Sequence, residues 1–201
     1  VFMQDAVEQA LAAGFTIVAA AGNNSKDALN EVPANCEGVL SVGAIDNSGE
    51  LGEFSNFGET VDVVAEGEFV VSMCEEDDVA CFWEGTSFSS PLVAGALGYV
   101  KQQTNASHET LSLALRLTAN THTLGETCAG EQCGAGLLNV KGMLDFVRAI
   151  GSEETNFIRY TLSNNESCEQ TWAVDYVGVT GALCGLFDVS VMGNYQLQSG
   201  F

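Results

Sequence analysis

The sequence predicts an α/β fold, a doubly wound, mostly parallel sheet followed by a small β-rich C-terminal extension. Three observations predict it. Residues 1–13 carry helical periodicity, Gly14 closes them, and residues 15–20 form a short run that is apolar on both faces. Helix, glycine and buried strand make the second half of a β-α-β unit. Residues 38–44 repeat the continuous apolar pattern of a buried parallel strand. After Gly151 the helical pattern gives way to alternation, as in Trp172, Val174 and Tyr176. The expected organisation is therefore one domain over residues 1–151 and a β-rich extension, itself expected to be truncated, over residues 152–201.

The elements follow in order. In residues 1–13, Phe2, Ala6, Gln9 with Ala10, and Ala13 fall on one side of the expected helix, and Gly14 suits the position just past its end. The first strand runs into Ala21-Gly22-Asn23-Asn24-Ser25, a turn at its C-terminal end, where open α/β sheets bind ligands. A polar loop leads to Pro33, and Asp46 to Glu50 is a surface turn. Residues 61–65 and 69–72 read as short strands. Residues 92–103 read as a buried helix and 109–120 as another, capped by Ser107 or His108. A helix over 139–150 would bury Leu138, Met143, Phe146, Val147 and Ile150.

Composition bounds the function. Of the 201 residues, 46% are hydrophobic, enough for a real core. The balance of 27 acidic against 6 basic residues, net −21, excludes a surface that welcomes a phosphate backbone. No apolar run is long enough for a membrane span. Glu75-Glu76-Asp77-Asp78 reads as a solvated loop, since it lacks the alternating ligands of a calcium loop. Seven cysteines without a C-x-x-C pattern point to oxidised pairs and an extracytoplasmic home. Local pairing predicts Cys74–Cys81, Cys128–Cys133 and Cys168–Cys184, with Cys36 left over. The chain opens inside a helix without a leader, so it is expected to be a fragment or a processed chain.

The chemistry gathers at Gly85-Thr86-Ser87, where a glycine leads into the buried helix. A serine there has two readings. It caps the helix, or it is a nucleophile set among unpaired N–H groups. A nucleophile needs a base, and the two histidines, His108 and His122, sit in polar surroundings and read as surface residues. The G-x-S-x-G elbow of other hydrolases fails here because its fifth position is Ser89.

Four blocks in register favour the nucleophile. Gly85-Thr86-Ser87-Phe88-Ser89-Ser90-Pro91-Leu92-Val93-Ala94-Gly95 resembles the serine motif of the subtilisin-like serine proteases, G-T-S-M-A-x-P-H-V-A-G. Phe88, Ser89 and Leu92 depart from it at packing positions. Val18-Ala19-Ala20-Ala21-Gly22-Asn23 resembles that family's V-A-A-A-G-N segment. Pro33-Ala34-Asn35-Cys36 through Val42-Gly43-Ala44, then Phe54-Ser55-Asn56-Phe57-Gly58, resembles the strand and turn between those sites. Cys133-Gly134-Ala135-Gly136-Leu137-Leu138-Asn139-Val140 resembles the lead into the last helix. Together they cover about residues 1–150.

The resemblance implies a serine endopeptidase working by acyl transfer. Ser87 would be the nucleophile, and its own N–H with the Asn23 side-chain amide would form the oxyanion hole. Ala20, Ala21, Gly22, Gly85 and Thr86 would line the substrate cleft. Glu31 would lie near the base of the pocket and favour a basic side chain if it pointed inward. No cofactor is required for the chemistry, and the carbonyls of Ala34, Cys36 and Val39 with Asp62 resemble a weak structural site for calcium or another cation. Thr60 stands where the second carboxylate of that site is expected. Family chain order puts the catalytic Asp and His upstream of Val1. The implied partners are therefore a peptide or protein substrate and the missing N-terminal half, and the fragment alone is expected to be inactive. A secreted location is implied as well. Asn23, Asn105 and Asn165 each head a formal N-x-S sequon, of which the first is read as spurious because a sugar would occlude the site. Two rivals stand beside the protease: a catalytically degenerate peptide-binding homologue, and an extracellular binding protein in which Ser87 only caps a helix.

Overall fold

A computed structural model describes residues 2–74, 80–130 and 132–151, and the four strands beyond them. The chain divides into two compact units, Val1–Val147 and Arg148–Phe201.

The first unit is built on a three-stranded parallel sheet in the order β1 (Ile17–Ala20), β2 (Val39–Ile45) and β3 (Val63–Glu66). Every residue of β2 is buried, as a central parallel strand requires. Its side chains alternate between two cores. Leu40 and Val42, with Val63 and Ala65 of β3, face α2 (Thr86–Thr104). Val93, Leu97 and Val100 of α2 meet them there. Behind α2, Leu111 and Leu115 of α3 (His108–Leu117) and Met143 and Val147 of α4 (Val140–Gly151) close the same core. Each such side chain contributes about 1.5–3 kcal/mol by leaving water. The opposite face of the sheet is covered by α1 (Phe2–Ala12) through Val7 and Leu11, and by a second cluster around Val64, Cys128 and Cys133. Helices on one face and helix plus loops on the other make the sheet doubly wound.

Ser107 caps α3, its hydroxyl accepting the Thr110 N–H. The buried face of α1 differs from the expected one. Val7 is buried while Phe2 is 92% exposed. Val7 and Leu11, in the middle and last turns, are the side chains that meet Ala19, Ala34 and Val39, and they set the rotation. The segment before Ser87 is also a strand: β5 (Ala80–Trp83) pairs antiparallel with β4 (Val70–Met73), so this ribbon lies outside the parallel sheet. Disulfides join Cys74 to Cys81 and Cys128 to Cys133, and Cys36 is free. The expected Cys168–Cys184 pair involves Cys184, which lies outside the described residues. No helix among the described residues is long and apolar enough to cross a membrane.

The second unit contains two antiparallel hairpins. One joins β6 (Phe157–Ser163) to β7 (Ser167–Ala173), the other β8 (Val179–Leu183) to β9 (Phe187–Val191).

Candidate active site

Two elements meet at the site: the C-terminal end of β1 and the N-terminal end of α2. The first four N–H groups of a helix lack intrahelical partners. At α2 they are disposed of unequally. The Thr86 N–H donates to Asn23 Oδ1 at 2.9 Å, and the Phe88 N–H donates to the Gly85 carbonyl at 2.9 Å. Among the described residues the Ser87 N–H has no partner, and neither has the Ser87 hydroxyl, which is exposed. Gly85 takes φ +147°, which a side chain rarely adopts.

Asn23 is fixed by its acceptor end. The buried Thr86 hydroxyl donates to Asn23 Oδ1 at 2.7 Å and accepts the Gly22 N–H at 3.2 Å. With two donors on Oδ1, the amide cannot flip without losing both, so Nδ2 is left as the free donor. A Cβ built on Gly85 would sit 3.2 Å from Asn23 Nδ2 and 3.8 Å from the Ser87 nitrogen. The two free donors therefore lie within 4 Å of one point beside the serine. Donors fixed before charge arrives are what a developing oxyanion needs.

Asn56, fully buried, holds the turn that carries Asn23. Its Nδ2 donates to the Ala21 carbonyl at 2.9 Å, and its Oδ1 accepts the Asn24 and Lys26 N–H groups at 2.9 and 3.2 Å. Its backbone N–H donates to the Gly22 carbonyl at 2.9 Å. Gly22, at φ +104°, must be glycine because a Cβ would lie 2.4 Å from Asn56 Nδ2. Sequence reasoning assigned Asn56 no role, and it gave Thr86 only to the cleft lining. The signal for both was their place inside the matched blocks, but their partners lie 30 to 64 residues away in sequence.

The other expected residues are placed as follows. Ala20 ends β1 half-buried, while Ala21 and Thr86 offer no surface. Glu31 lies beside Gly22, its Cγ 3.5 Å from the position of a Gly22 Cβ, and it pairs with Lys26 at 2.5 Å. Asp62 accepts the Ser41 N–H at 2.7 Å through Oδ2, and its Oδ1 takes Arg116 at 2.7 and 2.8 Å. This carboxylate is already matched by a guanidinium that would repel a second cation. Ala34 and Val39 are buried and Cys36 is half-buried, and no group of three metal-ligating side chains converges among the described residues. His108 stands beyond the far end of α2, a helix about 27 Å long at 1.5 Å per residue. It cannot reach Ser87.

A parallel sheet packed by helices, with an exposed serine and two unpaired donors where a helix start meets a strand end, defines the class as an α/β protein with a candidate anion-binding site. The family is more specific. A profile of the subtilase family matches residues 2–136, and the chain belongs to that family. An extracellular protease of Xanthomonas campestris is 32% identical over 143 residues, covering 68% of this chain and 24% of the relative. Subtilisin-like protease 2 of Trichophyton verrucosum is 43% identical over 97 residues, covering 48% of this chain and 23% of the relative. Among solved structures, a protease of Pseudoalteromonas arctica superposes with TM-score 0.66 at 28% identity, over 72% of this chain and 46% of that one. The chain thus spans about a quarter of the length of the two curated relatives, 24% and 23%.

Proposed function

We propose that the chain supplies the nucleophile and oxyanion hole of a secreted serine endopeptidase. One observation carries the reading: Thr86 holds Asn23 Oδ1, which leaves Asn23 Nδ2 and the Ser87 N–H as the free donors beside an exposed serine hydroxyl. A peptide carbonyl placed there is attacked by Ser87 Oγ. The carbonyl oxygen gains negative charge and is met by the two donors, the leaving amine departs, and water then releases the acyl group.

The base and its orienting carboxylate come from the part of the domain N-terminal to Val1, in the family's chain order. Support comes from His108, which lies too far away, and from the surface such a half would cover. Leu92 and Tyr99 on α2 and Phe15 beside β1 are exposed, and β1 has no neighbour on its outer edge among the described residues. The cleft wall comprises Ala20 and Gly22, which are half-buried, while Gly85 is buried behind it. Glu31 can select a basic substrate side chain only by exchanging its pairing with Lys26. The extracellular relative supports secretion.

The test is labelling of the full-length protein by a serine-directed fluorophosphonate. Labelling at Ser87, abolished by Ser87→Ala, is the expected result. An unlabelled Ser87 in folded full-length protein refutes the reading. The 201-residue chain alone is expected to hydrolyse no peptide.

A further inference from the structure

The ribbon of β4 and β5 carries a feature the chemistry does not use. Val71 and Phe82 are cross-strand partners, and Met73 lies two residues further along the same face. Phe69 meets Phe82 edge-on, ring centroids 6.5 Å apart. All four are exposed: Phe69 59%, Val71 63%, Met73 71% and Phe82 74%. On the opposite side Trp83, 38% exposed, lies 6.3 Å from Phe88 of α2. A contiguous apolar face in so acidic a chain marks an interaction surface.

Its rim is negative. Glu68 precedes Phe69 and Glu84 follows Trp83. The Glu68 carboxyl is raised above its ordinary value by burial and then by the charges of Asp46, Glu84 and Glu53. The cations Lys26, Lys101, Arg116 and Lys141 are engaged elsewhere, with Glu31, the Gly14 carbonyl, Asp62 and Asp145. This charge argues against a second copy as occupant, since it carries the same net −21 and would bring like charge to a carboxylate rim.

We infer that the apolar face of this ribbon is an exosite for a polypeptide segment that combines apolar and basic side chains, contributed by the protein substrate. The substrate as source rests on the protease reading. Covalent continuity supports it: only Glu84, Gly85 and Thr86 separate the ribbon from Ser87 in sequence, so the ribbon and the nucleophile belong to one continuous stretch of chain. The Cys74–Cys81 bridge ties the ribbon together, so the face is presented without an ordering cost.

The probe is a fluorescein-labelled peptide with an apolar centre of Leu and Phe flanked by lysines, bound to full-length Ser87→Ala protein so that it is not cut. Anisotropy should show saturable binding, weakened about tenfold or more in the double variant Val71→Ser/Phe82→Ser. Glu68→Gln, which leaves the apolar face intact, should weaken the lysine probe but not one with serine in place of lysine. Replacing the lysines by glutamates should abolish binding. Equal affinity of the parent and the Val71→Ser/Phe82→Ser variant, or of the lysine and glutamate probes, overturns the inference. So does a full-length protein that binds no probe because its own upstream half covers the face. In the active protein, attaching the same segment to a short chromogenic substrate should lower KM about tenfold, and no change would exclude the substrate as occupant. Probe binding without fluorophosphonate labelling would support the surface and overturn the protease reading.

Discussion

Thr86→Val removes one oxygen and almost no volume. The lost hydroxyl donates to Asn23 Oδ1 at 2.7 Å and accepts the Gly22 N–H at 3.2 Å. Two net hydrogen bonds at about 1 kcal/mol each, with a part-buried Gly22 N–H left unpaired, give a stability loss of about 2–3 kcal/mol. Thermal unfolding of the 201-residue chain measures it. The kinetic effect follows from the same atoms. Losing an oxyanion donor altogether costs about 10²–10³ in kcat, a figure that comes from subtilisin, a member of this family. In Thr86→Val the Thr86 N–H still holds Oδ1 at 2.9 Å, so Asn23 is loosened rather than lost. The expected fall in kcat is about tenfold to fiftyfold, with KM little changed because the interaction belongs to the transition state. Thr86→Ser retains the hydroxyl and should stay within a few-fold of the parent. Steady-state hydrolysis of a chromogenic peptide by the full-length enzyme is the assay. If kcat for Thr86→Val lies within twofold of the parent, Thr86 does not orient Asn23 and the argument for the oxyanion hole loses its support.

Three further outcomes are expected. Gly22→Ala places a Cβ 2.4 Å from Asn56 Nδ2 at a positive φ, so it should cost at least about 2 kcal/mol and lower fluorophosphonate labelling as the turn shifts. Met143→Ala opens a cavity beneath α2 and α3 and should cost about 2–5 kcal/mol in urea unfolding, leaving the site geometry intact. The Glu50 carboxylate is held below its ordinary value, first by the Thr127 hydroxyl and then by the Thr127 N–H. Its stabilising contribution is present above the unfolded value and is lost as pH falls through the folded one. Thr127→Val should therefore move the acid-unfolding midpoint upward, and an unchanged midpoint would show that the pair does not matter to folding.

What the sequence made legible depended on how local each signal was. The buried strands β1 and β2 are continuous apolar runs, and the start of α2 is written in adjacent residues, so both could be read without partners. Thr86 and Asn56 could not. Each acts only through atoms far along the chain: Thr86 through Gly22 and Asn23, Asn56 through residues 21 to 26. The face of α1 was misread because Phe2, the largest apolar side chain in that helix, sits in its first turn and stays exposed. The ribbon strand β5 was missed because alternation marks a strand with one buried face, and this one hides little on either. The pairing of Asp62 was equally hidden, since its partner Arg116 comes from a helix 54 positions later.

The linkage of Asn23 to Thr86 and of Asn56 to the turn lies wholly within residues 21–86. On the proposed reading, the receptor for a carbonyl oxygen is assembled by contacts that never involve the general base. Recognition and bond cleavage are separable inheritances: a descendant that lost its histidine would keep a formed anion receptor, and a lineage could drift from cutting peptides to holding them without rebuilding its core.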